Sequence, residues 1–439
     1  MSNTLIIKNK LQSFNKTIAV PGDKSLSIRW ILFASLASGI SSASNLLISE
    51  DVLASIEAVK KLGIKVIFKN DKCLIYGKGI NGYNYKKNIT INARNSGTLA
   101  RLLPGLLVNS PFKIKIIGDK SLSRRDFKRI AEPLREFGAI LNLNNNYRLP
   151  LSIIGSKNLR PIKYYENKGS AQCKSSVILA ALRTFGKTKI KAKKSRNHTE
   201  LLCKYLKLPI KVISKKKNDF IEIGSVKKIN PFNYKLPCDM SSSAFFIVLT
   251  SLTKNSNLVI KNVNINPSRI GIVTILRKMG VKIFFKNKKI YKGEDIADVQ
   301  VISPKKLKCI NCSPELNSAA IDEFLLIFLV AAKANGVSSF KKISELNQKE
   351  SPRLKWGRNI LYKMGIKTVM TNDSIKIYGN PNLNINKKII IKKYLKDHRV
   401  FMSSVVAALS FGGKWKIYDK NSINTSFPSF LKIIKKLKC

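Results

Sequence analysis

Residues 269–284 read RIGIVTILRKMGVKIF, a helix-length segment that stops at Gly280 and leads into an apolar run. The glycine stands where a left-handed C-cap belongs, and the residues after it read as a strand. The pattern returns at Asp51–Leu62 before Gly63, at Asp126–Phe137 before Gly138, and at Arg353–Met364 before Gly365. His198–Leu206, running into Pro209-Ile-Lys-Val-Ile, is a fifth, degenerate copy, and Ser429–Leu437 is a sixth that ends the sequence. Spacings of about 70–85 residues predict an α/β protein built from internal structural repeats.

Between these segments lies a second helical class: Ser25–Leu36, Thr98–Val108, Ser175–Arg183, Ser242–Leu252, Glu323–Ala334 and Arg399–Ser410. They are apolar nearly all round, which marks interior helices. Each follows a polar cluster: Asp23-Lys-Ser25, Asn95-Ser-Gly-Thr98, Ser170-Ala-Gln172, Asp239-Met-Ser-Ser242, Ile321-Asp-Glu323 and Asp397-His-Arg399. A single cluster of this kind is an ordinary N-cap. Six at repeat spacing predict a convergent anion-binding site, because helix N-termini carry free N–H groups and partial positive charge.

The 439 residues suffice for two or three domains with cores of their own, and 44% of them are apolar. The longest apolar run, Phe324–Ala332, is about half the length a bilayer-spanning helix needs. Met1–Gln12 holds only the Leu5-Ile6-Ile7 cluster, so no leader peptide is expected. Seven scattered cysteines fit a reducing compartment, and the lone Cys309-Ile-Asn-Cys312 reads as loop residues, not a metal site. Lys and Arg number 81 against 25 Asp and Glu, a formal charge of +56. Such a balance suits a polyanion. Lysine spread over the whole chain, with Ile and Asn enriched beside it, is expected instead from an AT-rich genome, and small anionic substrates are served by the same field.

Six motifs carry a family resemblance. Val20-Pro-Gly-Asp-Lys-Ser-Leu-Ser-Ile-Arg29, Asn95-Ser-Gly-Thr98 with Arg101, Gly118-Asp-Lys-Ser-Leu-Ser-Arg-Arg125, Ser170-Ala-Gln-Cys-Lys174, Lys349-Glu-Ser-Pro-Arg353 and Asp397-His-Arg399 appear in that order. Together they resemble the EPSP synthases, the 3-phosphoshikimate 1-carboxyvinyltransferases of the shikimate pathway, from about Leu5 to Phe430. Ser195-Arg-Asn-His-Thr-Glu200 and Asn424-Thr-Ser-Phe-Pro428 resemble the class II branch. The resemblance implies the two-domain enolpyruvyl transferase fold, an inside-out α/β barrel of six βαβαββ repeats, three per domain. It puts the N-terminal lobe at residues 20–238 and the C-terminal lobe at 1–19 plus 239–439, with the active site in the cleft between them.

What the resemblance implies for chemistry is transfer of the enolpyruvyl group of phosphoenolpyruvate to the 5-hydroxyl of shikimate 3-phosphate. Two such anions, each with about three negative charges, need several cations and helix ends. By resemblance Lys24, Gly97, Arg125, Gln172, Arg353 and Arg399 bind phosphoenolpyruvate. Lys24, Ser25, Arg29, Ser170, Ala171, Gln172, Arg196, Asp322 and Lys349 bind shikimate 3-phosphate, with Ser25 and Arg29 clamping its carboxylate. Asp322 matches the base on the 5-hydroxyl, Glu350 the proton shuttle at C3, and Lys24 a third participant. A cytoplasmic monomer is expected that binds neither nucleic acid nor membrane and uses no metal or organic cofactor, because the cations and helix ends can neutralise both substrates.

Four positions depart from the family's pattern: Pro352 where Asp usually precedes the arginine, Cys238 for Gly, Asp126 for Pro, and Thr425 for Lys. Pro352 bears on the turn that carries Glu350. His398 either orients Arg399 or is a packed imidazole. The nearest rival, UDP-N-acetylglucosamine enolpyruvyl transferase, has a Lys-Asn pair and a cysteine-bearing loop; here Lys24-Ser25 stands in that place and Gly118–Arg125 has no Cys. A polyanion-binding protein is the rival of another class, but the Arg and aromatic interleaving of base-stacking surfaces is missing. Glyphosate, an anionic inhibitor of the phosphoenolpyruvate site in this family, is expected to bind, because Gly97 stands where tolerant class II members carry Ala.

Overall fold

The computed structural model describes residues 3–438. Two units emerge, one of Gly22–Leu236 with Tyr291–Glu294, the other of Met1–Pro21, Pro237–Ile290 and Asp295–Cys439. Each has its own hydrophobic core, with Trp30, Phe127 and Phe137 among the large buried side chains of the first and Trp415, Phe246 and Phe328 among those of the second.

In the first unit the helices are α1 (Lys24–Leu36), α2 (Glu50–Lys61), α3 (Gly97–Leu106), α4 (Lys128–Glu136), α5 (Ala171–Ala181) and α6 (His198–Tyr205). Three four-stranded sheets accompany them, each with a parallel pair followed by antiparallel ones. The third sheet shows the repeat in chain order: strand Lys163–Glu166, α5, strand Lys187–Lys193, α6, then the hairpin Ile210–Ser214 and Asn218–Gly224. In the first sheet the opening strand comes from the far end of the unit, where Asn233–Lys235 pairs in parallel with Ser42–Ser44.

The second unit holds α7 (Met240–Leu252), α8 (Gly271–Lys278), α9 (Phe324–Lys333), α10 (Arg353–Lys363), α11 (His398–Phe411) and α12 (Phe430–Lys438). Its first sheet begins with Asn15–Ile18, which pairs in parallel with Asn257–Ile260. The sheet of the last repeat differs from the others among the described residues: it has three strands, Lys388–Ile391, Lys414–Tyr418 and Thr4–Ile7, and α12 follows them in the chain. Cys312 lies on the short strand Asn311–Cys312, not in a loop, and no group of His, Cys, Asp and Glu among the described residues is arranged to hold a metal ion.

The two helical classes have separate physical origins. Helices α1, α3, α5, α7, α9 and α11 are buried over most of their length, and α7 over all of it. Several of their serines and threonines are satisfied in apolar surroundings by donating to carbonyls one turn back, as Thr250 does to Phe246 and Ser404 to Val400. The other class ends in a left-handed residue: Gly63, Gly138, Gly280 and Gly365 all have φ between +84° and +110°. After α6 that place is taken by Lys207 at φ +56°, which explains why this copy looks degenerate in sequence.

Candidate active site

Five of the six interior helices begin with a side-chain cap. Asp23 accepts from the Leu26 amide, Ser96 from Leu99, Ser170 from Cys173, Asp239 from Ser241 and Ser242, and Asp397 from Arg399. The exception is α9, preceded by Glu323 without a side-chain cap, so Asp322 and Glu323 are left for other partners.

In the first unit these starts gather cations. Lys24 Nζ lies 2.8 Å from Asp51 Oδ2. Gly97 opens α3, and a Cβ added there would lie 2.8 Å from Arg125 Nη1 and 3.0 Å from Arg101 Nη1. Arg101 donates to Gln172 Oε1 at 2.9 Å and stacks 5.0 Å from the Phe127 ring; Gln172 Nε2 in turn donates to Thr98 Oγ1 at 3.0 Å. Gly97, Arg101, Arg125 and Gln172 therefore form one contiguous group. The carboxylate of Glu166 accepts from the Gly169 and Ser170 amides and shapes the turn into α5, of which Ala171 is the first residue.

Arg29 points inward. Its Nε donates to Thr199 Oγ1 at 2.7 Å, Nη2 to Ser175 Oγ at 3.0 Å, and Nη1 to the Ser25 carbonyl at 3.1 Å. Only 3% of the residue is exposed. Burial lowers its guanidinium to about 10, against the pull of Glu200, Asp23 and Glu294; Arg196, ahead of α6, pushes in the same direction as burial. Ser25 thus meets Arg29 through its carbonyl, and two of the five guanidinium N–H donors are not accounted for by these three bonds.

In the second unit Arg353 is the hub. It opens α10 and donates from Nε to Asp397 Oδ2 at 2.9 Å and from Nη2 to Asp397 Oδ1 at 3.3 Å. Its Nη1 reaches Asp322 Oδ1 at 3.4 Å, and Glu350 Oε2 also accepts from Nη2. Lys349 Nζ stands 3.6 Å from the same Asp322 oxygen. Arg399 donates to the Asp322 carbonyl at 2.6 Å and approaches Glu323 Oε1 at 3.4 Å. Burial disfavours the Arg353 cation, but Asp397, Glu350 and Asp322 outweigh it and raise its pKa. Burial likewise opposes the Asp397 carboxylate, and Arg353 overcomes it, holding the group below the usual range.

Lys349, Glu350, Arg353, Asp322 and Arg399 thus form one charged group in this unit; in the other, Lys24, Gly97, Ser170 and Gln172 stand at helix starts, Arg29 lies within α1, and Arg125 approaches the start of α3. Spacing alone did not reveal Asp51, Asp397, Glu323 and Arg269 as partners. Arg269 donates to Ser241 Oγ at 2.8 Å, and Ser241 to Glu323 Oε1 at 2.6 Å, which extends the network to Arg399. Asp397 stands out in the sequence as a cap and a motif residue, not as the partner of Arg353.

The family model for EPSP synthase (3-phosphoshikimate 1-carboxyvinyltransferase) matches residues 8–434. The chain belongs to the EPSP synthase family. Among curated relatives, the 3-phosphoshikimate 1-carboxyvinyltransferase of Ruthia magnifica subsp. Calyptogena magnifica is 38% identical over 97% of this chain and 96% of its own length. That of Petrotoga mobilis is 35% identical over 97% and 98%. The solved EPSP synthase of Acinetobacter baumannii shares 33% identity and a TM-score of 0.86, covering 99% of this chain and 98% of that one. The enolpyruvyl transferase NikO of Streptomyces tendae, 14% identical with a TM-score of 0.76, shares the fold.

The positions that depart from the EPSP synthase pattern have local partners. Pro352 occupies the N-cap place of α10 without a side-chain bond, while Ser351 Oγ donates to Asp397 Oδ2 at 2.9 Å and holds the turn. Asp126 accepts from the Lys128 amide at 2.6 Å, and Cys238 Sγ donates to the Val20 carbonyl at 2.8 Å. His398 is buried with Nδ1 3.2 Å from Thr425 Oγ1, so the imidazole packs against the other departing residue.

Proposed function

We propose that this chain transfers the carboxyvinyl group of phosphoenolpyruvate to the 5-hydroxyl of shikimate 3-phosphate, releasing phosphate. What carries this reading is the full-length family match together with the charged group around Arg353, whose residue types are those the reaction needs. A proton adds to C3 of phosphoenolpyruvate and the 5-hydroxyl oxygen attacks C2, giving a tetrahedral adduct. Loss of phosphate from C2 and of a proton from C3 restores the double bond.

In this reading Arg353 and Arg399 grip phosphoenolpyruvate together with Arg125 and Lys24, since a guanidinium meets carboxylate or phosphate in two places. The absence of a side chain at Gly97 lets backbone N–H groups at the start of α3 come close to the anion. Gln172 lies among the contacts to both substrates. Ser25, Arg29, Ser170, Ala171, Arg196 and Lys349 hold shikimate 3-phosphate. Asp322 takes the 5-hydroxyl proton and Glu350 serves C3, both assisted by Lys24; a carboxylate in hydrogen-bond reach of a reacting atom is the ordinary means of moving a proton. We propose further that the enzyme works as a cytoplasmic monomer.

Mass spectrometry of the product tests the acceptor. Enzyme with phosphoenolpyruvate and shikimate 3-phosphate should yield the enol ether, and UDP-N-acetylglucosamine offered instead should yield none. Product with the nucleotide sugar alone would overturn the reading.

A further inference from the structure

Helices α5 and α6 are tied by a charge pair inside the first unit. Lys174 Nζ lies 2.6 Å from Glu200 Oε1, with the two side chains 0% and 3% exposed. Among the described residues no further hydrogen bond reaches either group. Beside this pair, one residue along on each helix, Ser175 Oγ and Thr199 Oγ1 lie 2.7 Å apart, and both accept from Arg29. Two adjacent rungs, one ionic and one of hydroxyls, therefore join α5 to α6, and Arg29 closes on the second.

The three acceptors on Arg29 are two hydroxyls and a carbonyl, none of them charged. Among the charges that oppose its desolvation, Glu200 is the strongest, ahead of Asp23 and Glu294. Loss of Glu200 would leave Lys174 and Arg29 as buried cations without that carboxylate, with the half-buried Arg196 adding positive charge at Arg29. Ser170, Ala171 and Gln172 begin α5, and Arg196 lies two residues ahead of α6, so the register between these helices sets the spacing of those groups.

We propose that Glu200, held by Lys174, is a positioning residue for the shikimate 3-phosphate subsite. It fixes α6 on α5 in the register that brings Thr199 to Arg29 and carries Arg196, and it supplies the counter-charge for Arg29. This rests on the function proposed above.

The test compares wild type, Glu200→Gln and the double variant Lys174→Met/Glu200→Gln. Glu200→Gln keeps the shape but removes the charge; the double variant also removes the stranded lysine, so it carries the test if the single variant does not fold. Both should raise KM for shikimate 3-phosphate about tenfold or more, the size expected for a disturbed charged contact. KM for phosphoenolpyruvate should stay near wild type, and the double variant should melt close to wild type. A double variant with wild-type KM for shikimate 3-phosphate, or with both KM values raised equally, would show the pair to be structural and overturn the proposal. A wild type inactive with shikimate 3-phosphate would overturn the function and this inference together; an active wild type with indifferent variants would overturn this inference alone.

Discussion

Arg353 donates to both oxygens of Asp397, through Nε at 2.9 Å and Nη2 at 3.3 Å. Asp397 is fully buried and caps α11, while Arg353 opens α10, so one fork-shaped contact fixes two helix starts at once. The same guanidinium reaches Asp322 and Glu350. One side chain thus holds two helix starts and meets three carboxylates, and it is also one of the proposed phosphoenolpyruvate ligands.

That double duty separates Arg353 from the other proposed phosphoenolpyruvate ligands. Arg125→Ala and Arg399→Ala should raise KM for phosphoenolpyruvate while leaving thermal stability little changed, each losing a charged hydrogen bond of about 1.5–3 kcal/mol. Arg353→Ala should do the same and also destabilise the fold by about 3–5 kcal/mol, because Asp397 is left buried and unpaired. Steady-state kinetics with melting curves would check this; an Arg353→Ala protein as stable as wild type would contradict it.

Asp397 should also shape the acid limb of stability. Its folded carboxyl lies below the ordinary range, so the unfolded chain takes up this proton first as pH falls. The stabilisation is full above the unfolded value of about 3.9 and is lost as pH drops through the folded one. Denaturant melts between pH 7 and pH 3 should show a shallower loss of stability for Asp397→Asn than for wild type, from a lower starting point. Parallel curves would remove Asp397 from the account.

Gly97 is expected to make the enzyme sensitive to glyphosate. A methyl group there would lie 2.8 Å from Arg125 Nη1 and 3.0 Å from Arg101 Nη1, and both guanidinium ends would have to shift. Both atoms end flexible side chains, so the fold accommodates the shift cheaply, and the lost room is borne more by the longer inhibitor than by the shorter substrate. Gly97→Ala should therefore raise the inhibition constant more than KM for phosphoenolpyruvate. Equal increases, or a tolerant wild type, would defeat the steric explanation.

A fourth expectation concerns the fold alone. Lys207 holds the left-handed position after α6 that glycine holds after α2, α4, α8 and α10. Lys207→Gly should stabilise the protein by about 1 kcal/mol, relieving the Cβ clash of that conformation. Denaturant midpoints would decide, and a destabilised variant would argue against strain at this residue.

Much of this architecture was legible because local rules wrote it. Gly280 marks a helix end, and the all-apolar face of Phe324–Ala332 marks an interior helix, without reference to anything distant. Long-range pairing was not legible in the same way. Nothing in Asn233-Tyr-Lys235 announces that it completes a sheet with Ser42–Ser44, and nothing in Thr4–Ile7 announces that it pairs with Trp415–Tyr418 in the last repeat. At the site, the charged motifs stood out, but their partners did not. Glu323, Ser241 and Arg269 come from three separated segments and become a network only through packing, and Thr199 and Ser175, which accept from Arg29, come from two further helices.

Phosphate release from phosphoenolpyruvate, followed with a chelator present throughout and with shikimate 3-phosphate added or withheld, tests the central claim most directly. Lysines, arginines and helix starts suffice in this account to neutralise both anions, so release should be rapid with both substrates, absent without shikimate 3-phosphate, and indifferent to the chelator. Release at the same rate without the second substrate, or none with both present, would contradict it.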